Sequence, residues 1–423
     1  MGLAQGRHIG QKDGDPIVTR WRMTAATGGP EESTDVAAKT ADEHARHIVI
    51  SCFDSPSNQH YGGGGAAVAT TLAHHLAEQF DVTYVTAARH SGTRERDGVR
   101  YRYLPVSWAG PRAGQLLFQA LLPFVAWRGQ HDLWIESFTS PFSTGFLPIF
   151  SRAPVIGFAQ VLSGQAAWRK YRIPFFLVER FGLHFYRHVI VLNPADGAEV
   201  RRYARAARVT VIPNGVDHER PDDAVLGQGE YALFLGRIDV WEKGLDLLLA
   251  AYSQSGIAMP LLIAGGGTRS EERKLTTLLA AADDDVRWIG RVTGQRKDEL
   301  LACSAFVVVS SRREAFSLVA LEGMVHGKPV IHFNLPTLQW LGEDGRIPAF
   351  DIAALASEMR LLAGDEALRR GRGRAALAIA QAYGTKNMLQ RHTELVCEIL
   401  NMADAGDSGK EIAHHAEPHS SDR

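Results

Sequence analysis

The chain is 423 residues long, 45% hydrophobic and 22% charged, a balance that excludes fibrous and wholly disordered classes and implies roughly two to three packed domains, two being the working number. Lysine plus arginine (46) nearly cancels aspartate plus glutamate (47), so no chain-wide field exists to hold nucleic acid or an anionic membrane, and any anion site must be local. The cysteines Cys52, Cys303 and Cys397 lie far apart with no CxxC pair, which argues against a disulfide framework or a structural zinc site and fits a reducing cytoplasm.

Residues 1–45 are rich in Gly, Thr, Asp and Glu without a sustained apolar period, and are expected to be a disordered extension. They lack the apolar stretch of a signal peptide, and no run reaches the roughly 18 apolar residues of a spanning helix. A cytoplasmic protein is expected, with peripheral contact to the cytoplasmic membrane face as the further option.

From residue 46 onward short β-rich runs alternate with helical stretches: "HIVISCF", "DVTYVTA", "LWIES", "PVIGFAQ", "HVIVLN", "RVTVIP", then "YALFLG", "PLLIAGGG", "VRWIGRV", "AFVVVSS" and "PVIHFN". Strands apolar on both faces and separated by helices predict parallel sheets covered on both sides. Between the first run and its helix stands "SPSNQHYGGGGAAVATTLAHHL". Its glycines let backbone approach a ligand phosphate, although a glycine loop alone equally describes a flexible turn. The helix that follows sets Val68, Leu72 and Leu76 on one face, with Ala69 and Ala73 beside them.

Further on, "GQLLFQALLPFVAWRG" (114–129) is apolar with Arg112 and Arg128 at its flanks. It reads first as a core helix and second as a helix resting on a membrane or a lipid-linked acceptor. "HFYRH" spaces His184 and His188 as zinc ligands are spaced, but no Glu or third ligand accompanies them, so they read as ordinary helix-face histidines. Polar and turn-forming residues cluster at "NGVDHERPDDAVLGQGEY" (214–231), the expected linker.

After the linker, Arg237 leaves the end of a strand and Lys243 follows in the same loop. Two cations crowded at a strand's carboxyl end call for an anion between them, and a diphosphate would supply it. "DDD" (283–285) lies between a helix and a strand and reads as a solvated turn rather than a metal site. In "SSRREAFSLVALEGMVHGKPVI" the strand gives way to a loop holding Glu314, then to a helix starting near Phe316 or Ser317 and stopped by Gly327 and Pro329. Its first amides form an anion site, and Glu322 sits about 12 Å along from Glu314 if the whole interval is helical. That spacing suits two ends of one ligand better than a catalytic pair. A last helix from about Lys386 stripes Met388, His392, Leu395 and Ile399 on one side.

The runs "VIPNGVD", "FLGRIDVWEKGLDLLLAAY", "LLIAGGG", "VRWIGRV" and "LLACSAFVVVSSRREAFSLVALEGMVHGKPVI" occur in an order that resembles retaining glycosyltransferases of family 4, glycogen-synthase- or mannosyltransferase-like enzymes of the GT-B fold; Glu314 and Glu322 match that family's Glu-x7-Glu signature. The resemblance covers about residues 46–402. It implies an α/β fold of two Rossmann-like parallel-sheet domains facing a central cleft: residues 46–220 on the acceptor side, 221–385 on the donor side, 386–402 a helix packing back toward the first domain, and 403–423 a disordered tail.

It further implies a nucleotide-sugar donor as co-substrate, with no cofactor and no metal. Arg237 and Lys243 would hold the diphosphate and, with Glu314 on the transferred sugar, form the catalytic set. Gly63, Gly64 and Gly65, the amides of Phe316, Ser317 and Leu318, Val292 near the base and Glu322 on the ribose would bind the donor. The acceptor would be a sugar, a lipid-linked or a small molecule, with no nucleic-acid partner. Two positions depart from the pattern: Ser317 replaces a usual glycine, and Ala159 and Gln160 stand where a histidine is usual.

Two other functions compete. A sugar-nucleotide-binding protein without turnover is motivated by the absent histidine. An NAD(P)-dependent oxidoreductase needs a tight GxGxxG and an acidic residue ending the next strand, whereas "DVTYVTA" runs into Ala88, Arg89 and His90.

Overall fold

A computed structural model of the chain describes residues 46–55, 64–138, 145–162, 174–217 and 221–414. They belong to one compact unit, Ala45–Arg423. The expected N-terminal extension lies outside the described residues.

The first lobe runs β1 (His47–Ser51), α1 (Gly64–Leu76), β2 (Asp81–Ala88), β3 (Gly92–Arg96), β4 (Val99–Pro105), α2 (Gly110–Arg128), β5 (Leu133–Ser137), α3 (Leu147–Phe150), β6 (Val155–Ala159), α4 (Phe175–Leu183), β7 (His188–Val191), α5 (Pro194–Tyr203) and β8 (Arg208–Val211). The second runs β9 (Tyr231–Leu235), α6 (Leu245–Ser255), β10 (Leu261–Ala264), α7 (Arg269–Leu279), β11 (Val286–Gly290), α8 (Gln295–Cys303), β12 (Ser304–Val309), α9 (Leu318–Val325), β13 (Val330–Phe333) and β14 (Arg346–Ile347). Helices α10 (Ile352–Gly364), α11 (Glu366–Ala380) and α12 (Thr385–His414) follow.

Each apolar run singled out in the sequence forms a strand. The first sheet has the order β3-β4-β2-β1-β5-β6-β7-β8 and the second β11-β10-β9-β12-β13-β14. Their pairings are parallel except β3 with β4. That hairpin escapes a search for strands buried on both faces. β3 is exposed along its length and β4 alternates buried Val99 and Tyr101 with exposed Arg100 and Arg102. The two are joined by Asp97 and Gly98, both at positive φ (52° and 74°), the two-residue turn that matches strand twist. Charged β3 then blunts the sheet edge.

Strand periodicity of two fixes the core. In β1, Ile48 and Ile50 face one cluster and Val49 the other; in β9, Tyr231 and Leu233 face one side and Ala232 and Phe234 the other. Ile48, Ile50, Leu233 and Val307 fall in one continuous apolar cluster that also takes Met388, Leu395 and Ile399 of α12. The lobes therefore share a core.

Helix α12 begins one residue before the expected start, and continues to His414 where a disordered tail had been expected from residue 403. It crosses back onto the first lobe: Arg391 Nη2 donates to Val211 O at 2.7 Å, and buried His392 meets the Phe158 ring edge-on at 5.2 Å. Burial pushes His392 down to about 4, so this ring is neutral at physiological pH. The "NGVD" motif serves this crossing. A Cβ on Gly215 would lie 2.7 Å from the Gly384 backbone, and Asp217 Oδ1 accepts from the Thr385 N–H at 2.8 Å, capping α12.

One carboxyl lies deep in the first lobe. Glu136 on β5 is buried and accepts a hydrogen bond from the Tyr186 hydroxyl at 2.5 Å, and burial, outweighing that bond, raises it to about 7 from a reference of 4.5. The folded chain thus holds a proton that the unfolded chain releases above about pH 4.5. The resulting stability is full below that pH and is lost as pH rises through 7. Glu136→Gln should gain on the order of 3 kcal/mol relative to wild type between pH 4.5 and pH 8, read from denaturation midpoints; a pH-independent difference would contradict this assignment.

Candidate active site

The chain reverses direction in the second sheet at β9, which has β10 on one side and β12 on the other. In an open parallel sheet such a switch point opens a crevice at the strands' carboxyl ends. Two loops meet there, residues 236–244 after β9 and 310–317 after β12.

Close backbone packing laces the loops together. Ser310 Oγ donates to Lys243 O at 2.9 Å, the Arg312 N–H donates to Glu242 O at 2.9 Å, and the Arg312 guanidinium holds Asp246 with two bonds of 2.7 Å. Buried Asp239 organises the first loop by accepting from the Glu242 N–H through Oδ1 at 3.0 Å and from the Lys243 N–H through its carbonyl at 2.9 Å. Gly244 makes the approach sterically feasible. Its φ is +64°, and a Cβ there would lie 2.0 Å from Ser310 O.

At the meeting point Lys243 Nζ lies 2.6 Å from Glu314 Oε2, with the side chains only 20% and 13% exposed. The Glu314 carbonyl is held by the Thr337 hydroxyl. Helix α9 opens immediately beyond, capped by Ser317 Oγ accepting from the Ala320 N–H at 3.2 Å. The residue that departs from the family's usual glycine is thus the helix cap.

The remaining expected residues divide. Leu318 reaches the first lobe: a Cβ on Gly64 would fall 2.3 Å from its Cδ1, while one on Gly65 would be 3.4 Å from Gln160 Cγ. Gly63 lies outside the described residues. Arg237 shares the Lys243 loop but pairs with Glu242 at 3.0 Å and Asp239 at 3.5 Å. The chain itself supplies counter-ions to both cations, so their crowding alone does not require a ligand anion. Glu322 pairs with Lys297 of α8 at 2.7 Å. The Phe316 ring is buried and stacks on Trp340 at 4.4 Å and 5°, so only its backbone remains for a ligand. Val292 is half-buried against the shared cluster.

Three features were not anticipated. Asn193 caps α5 through Oδ1, which accepts from the Asp196 N–H at 2.8 Å, and its Nδ2 donates across the lobes to Ala315 O at 2.8 Å. Asn-Pro before a helix is a start signal visible in "LNPADG". Burial raises the neighbouring Asp196 carboxyl to about 6. Lys297 carries no sequence signal beyond its position on a polar helix. Near Gly65, Asn214 Nδ2 lies 3.4 Å from Gln160 Oε1, while Gln160 Nε2 and Asn214 Oδ1 are buried without a partner among the described residues.

His184 Nδ1 lies 2.8 Å from Arg180 O, Asp283 to Asp285 are exposed before β11, and no metal-type cluster of His, Cys, Asp or Glu occurs among the described residues.

Comparison with solved structures defines the fold. Sucrose-phosphate synthase from Thermosynechococcus elongatus superposes with a TM-score of 0.71 at 20% identity, covering 84% of this chain and 100% of that one. Anabaena HepE in complex with UDP-glucose gives 0.64 at 17%, again covering 84% and 100%. At such identities the likeness speaks to the fold, which is the two-lobed GT-B architecture of glycosyltransferases.

Family models then match in chain order, glycosyltransferase family 4 over residues 62–220 and glycosyl transferases group 1 over residues 229–365. The chain belongs to the family 4 type of GT-B glycosyltransferases. It is 32% identical over 181 residues to glycogen synthase of Mycobacterium tuberculosis (40% of this chain, 43% of that one). With D-inositol 3-phosphate glycosyltransferase of Streptomyces avermitilis it shares 31% over 225 residues (46% and 48%). These matches span less than half the length of either relative.

Two glycines test how the Lys243 loop is held. Gly244 and Gly256 share φ near +60° (64° and 62°), but only Gly244 faces backbone, Gly256 having open space. Gly256→Ala should cost about 1 kcal/mol, and Gly244→Ala at least about 2 kcal/mol more. Equal losses in denaturant titration would show that the Ser310 contact does not hold the loop.

Proposed function

We propose that the protein transfers a sugar from a nucleoside-diphosphate sugar to an acceptor hydroxyl, with retention of anomeric configuration and without a metal ion. The observation that carries this reading is the largely buried Lys243–Glu314 pair at the sheet's switch point, beside the Ser317-capped start of α9. A diphosphate is recognised by cations together with a helix N-terminus. HepE, solved with UDP-glucose, supports a nucleotide-sugar donor.

In this reading Lys243 and Arg237 bind the diphosphate, exchanging carboxylate partners within the chain for phosphate oxygens. Glu314, released toward the sugar, accepts from its hydroxyls. The amides of Phe316, Ser317 and Leu318 and the backbone of Gly64 and Gly65 approach the phosphates and sugar, Val292 lies by the base, and Glu322, held by Lys297, accepts from the ribose. The anomeric carbon–oxygen bond to phosphate breaks as the acceptor oxygen bonds to the same face, and the acceptor's proton passes to the departing phosphate oxygen. Catalysis is then charge stabilisation and orientation.

Thermal-shift measurements with UDP-, GDP- and ADP-sugars should find one donor that stabilises by about 2.7 kcal/mol at a hundredfold excess over its Kd. Lys243→Ala or Arg237→Ala should lower kcat by at least about 100-fold. Glu322→Ala should raise the donor KM by about tenfold with kcat little changed. Proton NMR of the first-formed product should show the donor's anomeric configuration. No stabilising donor, or full activity in Lys243→Ala, would contradict the assignment. Gln160 in place of a histidine motivates the second reading, a sugar-nucleotide binder without turnover; slow donor hydrolysis would exclude it.

A further inference from the structure

Helix α2 is apolar on both sides. Its inner arc buries Phe118, Leu122 and Val125, as a core helix should. At about 100° per residue, Leu116, Leu117, Leu121, Phe124 and Trp127 share an outer arc about 140° wide. All five are exposed, Phe124 by 60% and Trp127 by 63%. Trp108, in the turn leading into the helix, is 71% exposed. A helix apolar all round is normally enclosed by protein or lipid.

The surface continues beyond α2. α3 packs against it and exposes Ile149 and Phe150. Phe146, just before α3, meets Phe181 of α4 at 6.1 Å, and Phe181 and Leu177 are exposed in turn. Adjoining exposed apolar side chains of this kind mark an interaction surface, unlike hydrophobic residues scattered singly.

Charge identifies what covers it. The segments 106–130 and 145–162 contain Arg112, Arg128 and Arg152 and no aspartate or glutamate, while the charges of α4, Glu179 and Arg180, cancel. The three arginines of those segments are exposed, and Arg112 and Arg128 stand about 24 Å apart at the two ends of α2. Tryptophan and arginine around an apolar strip match the interfacial zone of a bilayer, where indoles sit at headgroup depth and guanidinium groups meet lipid phosphates. A second copy fits poorly, since a two-fold contact through this face would bring its like-charged rim together. No described helix is long and apolar enough to cross a membrane, so the helix lies in the interface plane.

We propose that the α2–α3–α4 face of the first lobe docks in plane on an anionic phospholipid bilayer. This stands independently of the transfer reaction. The test is co-sedimentation of the full chain with phosphatidylcholine vesicles, with and without phosphatidylglycerol. Binding to the anionic vesicles should exceed binding to the neutral ones by at least about tenfold at low salt, and fall as salt is added. Phe124→Glu combined with Trp127→Glu should abolish it at unchanged circular dichroism. If that pair fails to fold, Arg112→Glu with Arg128→Glu should remove the preference for anionic lipid. Absent or equal binding to both vesicles, or binding unaffected by a folded variant pair, would overturn the proposal. So would a wild-type dimer that Trp127→Glu converts to a monomer without any vesicle binding.

Discussion

The lysine ammonium and glutamate carboxylate of Lys243 and Glu314 lie 2.6 Å apart, both largely out of water. Either charge alone at that depth would carry an uncompensated desolvation cost of several kcal/mol, so the two loops must arrive together. The sheet order makes this feasible by setting β9 beside β12. Gly244 removes the side chain that would block Ser310 O, and the Arg312–Asp246 fork clamps the flank.

The same site depends on how the lobes meet. One apolar cluster runs from β1 of the first lobe to β12 of the second and onto α12. Across the cleft, Asn193 reaches Ala315 O, Arg313 Nη2 reaches Leu162 O at 3.2 Å, and Leu318 rests where a Gly64 side chain would be. Each contact lands on the 313–318 segment, between the two glutamates or one residue outside them. A change in the lobes' approach is therefore felt first at that segment, which links closure to site geometry.

Much of this was legible in the sequence because parallel strands buried on both faces leave continuous apolar runs, and because helix stops such as Gly327 are chemically specific. The start of α9 at Leu318, capped by Ser317, follows from a strand ending in serines and arginines before an apolar helix. The β3–β4 hairpin was missed since its signal is the Asp97-Gly98 turn rather than hydrophobicity. The counter-ions Glu242, Asp239 and Lys297 were missed because ion pairing between separate elements depends on strand order, which a single sequence does not encode locally. Phe316 illustrates the converse: its place in the motif points to a ligand, while its ring belongs to the Trp340 stack.

If Lys243 is a phosphate ligand for which Glu314 competes, only removal of the lysine weakens nucleotide binding. Calorimetric titration of UDP, GDP and ADP, which carry the diphosphate but no sugar, separates the two roles. For the nucleotide that binds wild type, the account predicts that Lys243→Met weakens binding by at least about tenfold, roughly 1.4 kcal/mol, while Glu314→Gln leaves it unchanged or tighter. Equal weakening by both substitutions would mean that the pair only braces the loops, contradicting a donor site at the switch point.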